Sequence, residues 1–196
     1  MTAKLLPLIL IVDDEATNLK VLQNVLNKEH RLVFAKSGDE AIRIAIEKQP
    51  NLILLDIMMP GMNGYQACET LKQQPITRNI PIIFVSALND DGNEEKGFDL
   101  GAVDYITKPI SPAIVRARVR THLSLVQAEE LRETRLQIVQ RLGKAAEFKD
   151  NETGMHVMRM SHYARIIALD YGFSKAEADN LFNAAPMHDI GKIGIP

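Results

Sequence analysis

Leu52-Ile53-Leu54-Leu55-Asp56-Ile57-Met58-Met59-Pro60-Gly61-Met62-Asn63-Gly64 is the stretch that decides the fold. An unbroken apolar run that ends in an acid and then in a turn cluster reads as a strand covered on both faces. Working outward, the same kind of run recurs at Leu8 to Val12, Arg31 to Ala35, Pro81 to Val85 and Val103 to Thr107. The gaps between the runs carry helical spacing. Leu19, Leu22 and Leu26 share a face in the first gap, and Ile42, Ala45 and Ile46 in the second. Asp90 to Leu100 is polar and holds Gly92 and Gly97, so its helix is expected to be the least stable. Five βα units in succession give an α/β domain, a doubly wound five-stranded parallel sheet.

The pattern changes after Pro112. From Ala113 to Phe148 there is no proline and one glycine, Gly143, so one long helix is expected. Leu131, Ile138, Leu142 and Ala145 fall in a 3–4 register with Arg135 interrupting it, a weak coiled-coil seam. Further helices follow. Glu152, His156, Met160, Tyr163 and Ile167 share one face of the first, expected to point inward. Leu181, Phe182 and Ala185 are expected inward on the second, which Pro186 should kink or restart.

Composition narrows the function classes. The 196 residues are 46% apolar and 24% charged, enough to bury a core. A net charge of −2 argues against a nucleic-acid partner. The longest apolar run, Leu5 to Val12, contains Pro7 and falls short of the ~20 residues that span a bilayer, so no membrane partner is expected. Asp13, Asp14 and Glu15 follow it without a cleavage site, so it reads as a strand. The one cysteine, Cys68, excludes an internal disulfide and reads as a small buried hydrophobe. A soluble, cytoplasmic protein is expected.

Polar residues collect at the strand ends, where open α/β sheets bind ligands. They are Asp13 and Asp14, Asp56, Ser86, and Lys108 before Pro109. Asp14 alone would be an ordinary helix cap. Converging carboxylates are harder to dismiss, because two such charges about 4 Å apart repel by about 4 kcal/mol at an effective dielectric of 20. A hard divalent cation such as Mg²⁺ or Mn²⁺ would offset that.

Ile11-Val12-Asp13-Asp14-Glu15, Leu55 through Gly64, Ser86-Ala87 and Lys108-Pro109 resemble a response-regulator receiver domain. The resemblance covers residues 5–122 and implies a flavodoxin-like receiver over 1–122. It implies that Asp56 accepts a phosphoryl group from a sensor histidine kinase or phosphotransfer protein. Asp14, Asp56 and the main-chain carbonyl of Met58 would bind Mg²⁺ directly, with Asp13 acting through water. Lys108 would pair with phosphoryl oxygens, and its bond to Pro109 is a candidate cis peptide. Ser86 would hydrogen-bond the phosphoryl group, and Tyr105 would change rotamer with it. A rival, the aspartate-nucleophile phosphatases, needs a second acid two residues after the nucleophile. Met58 stands there instead.

The second constellation is Glu152 with His156, and His188 with Asp189. Two acid–imidazole pairs on neighbouring helices favour a metal over isolated core histidines. His162 falls off that face and reads as structural, and His30 and His122 have no acidic neighbours in sequence. Asp150 through His156 and Asn183 through Pro196 resemble the opening half of an HD-GYP domain, a family of cyclic di-GMP phosphodiesterases. That resemblance covers 137–196. It implies that Glu152, His156, His188 and Asp189 hold a pair of Fe, Mn or other divalent ions, with Lys192 on substrate phosphate. The Gly-Tyr-Pro signature and the later ligands are absent. An incomplete all-α HD-type domain is therefore expected, with little phosphodiesterase activity of its own. Exposed apolar surface, or a partner covering it, is expected beyond residue 122. Residues 113–148 would connect the parts and support a homodimer. The alternative is a phosphorylation-dependent dimerisation or interaction module without hydrolase activity.

Overall fold

The apolar runs become the strands. A computed structural model describes residues 6–87, 93–147 and 155–191. In chain order they form β1 (Leu8–Val12), α1 (Ala16–Leu26), β2 (Arg31–Ala35), α2 (Gly38–Lys48), β3 (Leu52–Asp56) and α3 (Gly64–Gln73). Then come β4 (Ile82–Ala87), α4 (Asn93–Asp99), β5 (Asp104–Lys108), α5 (Pro112–Glu147), α6 (Met155–Asp170) and α7 (Lys175–Ala184). A short 3₁₀ turn, Ala185–Met187, carries Pro186. The chain divides into two compact units, residues 1–126 and 127–196, with the division inside α5.

In the first unit the strands lie in the order β2-β1-β3-β4-β5, all parallel. Side chains alternate across a strand, so each strand feeds two layers. Ile9, Ile11, Leu52, Leu54, Ile83 and Val85 pack with α1 and the start of α5. Leu10, Val12, Ile53, Leu55, Ile82 and Phe84 pack with α2 and α3. Each fully buried side chain of this size contributes about 1.5–3 kcal/mol. The same registers bring Val12 level with Leu55, Asp56 with Val85, and Ala87 with Lys108. The polar residues that follow the runs therefore emerge along one edge.

Helix faces are less faithful to the spacing. α1 buries Leu19, Leu22 and Leu26 as expected. α2 instead buries Ala41, Ile44 and Ala45, while Ile42 is partly buried and Ile46 is 39% exposed. The helix is turned so that two small alanines face the core, which allows a closer approach than the Ile42–Ile46 row would. α4 is described over Asn93–Asp99, and the Asp90–Gly92 part of the expected helix lies outside the described residues. α5 is continuous over 36 residues.

In the second unit α6 buries a row beside the expected inward face and leaves much of that face open. Val157, Ser161 and Ala168 are buried, whereas Tyr163 and Ile167 are each 61% exposed. Ser161 satisfies its hydroxyl by donating to the carbonyl of Val157, its own helix's preceding turn. Small residues on that face let α7 come close with buried Ala178. Arg165 and Asp179 clasp the two helices at 2.7 Å. His162 lies tilted against half-buried Phe182, with ring centroids 4.9 Å apart, and Leu181 is exposed. On α5, Leu131, Ile138 and Leu142 are also exposed. The expectation of exposed apolar surface in this half agrees with these residues.

Candidate functional site

β1 and β3 end where their apolar runs end, and each delivers acids into the same cleft. Asp13 is 1% exposed and Asp56 3%, with Asp14 the least buried of the three. Oxygens of Asp13, Asp14 and Asp56 lie within 4.8 Å of one another. Lys108, at the end of β5, bridges two of them. Its Nζ donates to Asp13 Oδ2 at 3.0 Å and to Asp56 Oδ2 at 2.9 Å. The Lys108–Pro109 bond is cis. Met58 donates its N–H to Asp56 Oδ1 at 3.4 Å, and its side chain is 70% exposed at the lip.

The cleft's electrostatics follow from this geometry. Burial pushes the Asp56 carboxyl above its ordinary 3.8, the Lys108 bond opposes that, and the Asp13 charge adds to it. For Lys108, burial disfavours the ammonium, but the bonds to Asp56 and Asp13 outweigh it and the group is held above its ordinary 10.5. Three hard oxygen donors beside one lysine fit a divalent cation. Burial pushes the Cys68 thiol up to about 11, in line with a packing role.

Ser86 and Tyr105 are both buried, on β4 and β5. Tyr105 donates its hydroxyl towards that of Tyr65 at 3.4 Å. Phe84 lies against both rings, each at 5.2 Å, and Phe98 lies against Tyr105 at 5.6 Å. Spacing did not reveal what makes room for this tyrosine. A Cβ on Gly97 would lie 2.8 Å from Tyr105 Cε2 and Cζ, and closer still to its hydroxyl. Gly97→Ala is therefore expected to expel the ring. NMR of ¹³C-labelled tyrosine should show Tyr105 in a solvent-like environment; an unchanged signal would refute the notch. The expected stability loss is about 1–3 kcal/mol.

The sequence also showed no acid for His122. The fold supplies Asp104, at the start of β5, with Asp104 Oδ2 at 3.0 Å from His122 Nε2 on α5. Arg118, one turn earlier on α5, donates to Oδ1 of the same carboxylate. Burial works against the Asp104 charge, but Arg118, His122 and the Tyr105 N–H hold its carboxyl below the ordinary range.

In the second unit His188 Nε2 lies 3.1 Å from Asp189 Oδ2, and its Nδ1 lies 3.0 Å from the Ala185 carbonyl. His156 is half-buried on α6. Among the described residues, only Asp13, Asp14 and Asp56 gather three metal-ligating groups. Glu152 and Lys192 lie outside the described residues.

A doubly wound parallel sheet with an acidic trio and a lysine at its carboxyl edge defines the flavodoxin-like class of α/β protein. Residues 9–120 match the response regulator receiver domain, and residues 153–196 match the HD domain. The chain belongs to the response-regulator receiver family. It is 37% identical to a probable cyclic di-GMP phosphodiesterase of Vibrio cholerae, over 96% of this chain and 49% of that protein. It is 32% identical to the cyclic di-GMP phosphodiesterase response regulator RpfG of Xanthomonas campestris, over 96% of this chain and 56% of that protein. The chain thus spans about half the length of these relatives. Among solved structures, it resembles the receiver domain of the Pseudomonas aeruginosa sensor histidine kinase PA1611, which carries magnesium in its active-site cleft. That match has a TM-score of 0.57 and 28% identity, and covers 61% of this chain and 98% of the other.

Proposed function

We propose that this chain is the phosphoacceptor part of a two-component response regulator, taking a phosphoryl group on Asp56 and controlling a cyclic di-GMP phosphodiesterase. One observation carries the reading: Asp56 sits at a strand end, bonded to Lys108 and flanked by Asp13 and Asp14. In the transfer, an Asp56 oxygen attacks phosphorus, an acyl-phosphate P–O bond forms, and the P–N bond to the histidine of a kinase or phosphotransfer protein breaks. Asp14, Asp56 and the Met58 carbonyl would hold Mg²⁺, with Asp13 acting through water. A bound Mg²⁺ neutralises charge on the phosphoryl oxygens of a loose transition state. Lys108 pairs with the same oxygens once its bond to Asp56 is released. Ser86 then hydrogen-bonds the new phosphoryl group, which adds about −1.5 to −2 charge, and Tyr105 follows it.

The output reading rests on the HD match and on the two phosphodiesterase relatives. Residues 1–122 serve as receiver, 113–148 as connector and 137–196 as the opening of the output domain. Within a whole output domain Glu152, His156, His188 and Asp189 would hold a pair of Fe, Mn or other divalent ions, with Lys192 on the substrate phosphate. A homodimer through α5 is supported by exposed Leu131, Ile138 and Leu142. The same stripe favours the second reading, a phosphorylation-dependent interaction module without hydrolase activity.

Asp56→Asn is expected to abolish ³²P labelling by acetyl phosphate. Label retained at that site would refute the receiver reading. Cyclic di-GMP hydrolysis by the chain extended with the part of an HD-type domain that its relatives carry, changed by phosphorylation, separates the first output reading from the second.

A further inference from the structure

Asp13 is held from three directions. Its Oδ1 accepts from the Glu15 N–H at 2.9 Å and from Asn18 Nδ2 at 3.0 Å, and its Oδ2 accepts from Lys108 at 3.0 Å. An ionised carboxylate offers about four lone-pair sites, roughly two on each oxygen. Oδ1 is therefore filled, and one site remains on Oδ2. Any residue at position 15 other than proline could supply the backbone bond. The Asn18 bond is different. It comes from a half-buried side chain in the first turns of α1, and only a donor can face an acceptor-only carboxylate there.

We infer that Asn18 is a positioning residue for the cation site: its carboxamide turns Asp13 Oδ1 away from the cleft and presents Oδ2 alone to a divalent cation or its water. This role rests on the reading of Asp13, Asp14 and Asp56 as a cation site. Without the carboxamide, Asp13 can rotate about its Cβ–Cγ bond and bring either oxygen into the cleft. It can then chelate with both, or close further onto the Lys108 ammonium. In each case the geometry set before binding is lost. Outer-shell partners of metal ligands are typically worth 10–100-fold in affinity. A single neutral hydrogen bond to one ligand belongs at the low end of that range.

The experiment is calorimetric titration of the 196-residue chain with MgCl₂, alongside urea denaturation in EDTA. Asn18→Ala removes the side chain, and Asn18→Leu keeps its bulk without the donor. Both are expected to weaken Mg²⁺ binding about tenfold, beyond the modest drop in the metal-free denaturation midpoint that loss of one hydrogen bond to a buried carboxylate brings. A merely structural asparagine would move the midpoint and leave the affinity alone. Parent-like affinity, within about twofold, in either variant would overturn the role of Asn18 while leaving the cation site intact. Failure of the unsubstituted chain to show saturable Mg²⁺ binding that Asp56→Asn weakens would overturn the cation site, and this role with it.

Discussion

Gly64→Ala is expected to cost the first unit more than about 3 kcal/mol, lowering its melting temperature by 10 °C or more. A Cβ at this position would stand 2.8 Å from Ile57 Cα and 3.0 Å from the Asp56 carbonyl carbon, and closer still to the Asp56 carbonyl oxygen. Each of these neighbours is backbone, so no rotamer change can relieve the clash. The Gly64 N–H also donates to the Ile57 carbonyl at 3.0 Å, which ties the two segments together. Relief requires moving the loop that joins β3 to α3, and that loop follows directly from Asp56. The Asn63–Gln66 capping box at the start of α3 would shift with it. Labelling by acetyl phosphate should therefore fall along with stability. Gly61→Ala is the control. Gly61 has φ of 77°, and a Cβ there meets nothing within 4 Å. Its expected cost is the left-handed conformation alone, about 1 kcal/mol. Thermal and urea denaturation of the two variants will test the contrast; equal losses would show that the close approach at Gly64 is readily accommodated.

This contrast also shows what the sequence can and cannot disclose. Gly61 to Gly64 is legible as a turn cluster from composition. Nothing in it separates the glycine that needs a left-handed backbone from the one that needs an absent Cβ, because that depends on which backbone passes nearby. The five strands were legible because parallel strands covered on both faces leave unbroken apolar runs. Asp13, Asp56 and Lys108 were legible because each ends such a run, and the parallel order then brings the ends to one edge. Helix rotation was harder. In α2 and α6 the larger apolar residues suggested one face, but the fold buries the row with small residues. The energy of close approach outweighs the size of any single side chain. Side-chain hydrogen-bond partners were harder still. Asp104 reaches His122 only because β5 and α5 lie together, so distance along the chain carried no signal. Gly97 and Asn18 belong to the same category: their roles depend on what lies opposite them.

Lys108→Met should make the stability of the receiver depend on pH and on divalent cation. Lys108 is the cation within bonding distance of both Asp13 and Asp56, and its side chain is 23% exposed. Removing one member of a buried, bonded pair typically costs 3–5 kcal/mol, because the remaining charge is left uncompensated. Part of that cost is avoidable here, since a carboxyl can take up a proton. The Asp56 carboxyl already stands above its ordinary 3.8 through burial, with Lys108 holding it down and Asp13 pushing it up. Without Lys108 the downward influence goes, and the carboxyl rises further. A group raised in the folded state binds more protons there than in the unfolded chain. Its favourable contribution is complete below the ordinary value and is lost as pH rises through the folded one. The variant should therefore lose stability more steeply than the parent chain as pH rises above the ordinary carboxylate value of 3.8. In EDTA near neutral pH the deficit should reach about 3 kcal/mol. In the parent, Lys108 is itself a raised group, so its contribution is complete below 10.5 and is lost only as pH climbs above that value. Millimolar Mg²⁺ should restore most of the variant's deficit, because a ligand that binds only the folded state stabilises it in proportion to the logarithm of its concentration. Urea denaturation at pH 5 and pH 8, with EDTA or with MgCl₂, gives the four midpoints needed. A variant as stable as the parent at pH 8 in EDTA would mean that the three carboxylates do not need the lysine, and that water reaching the cleft screens them instead.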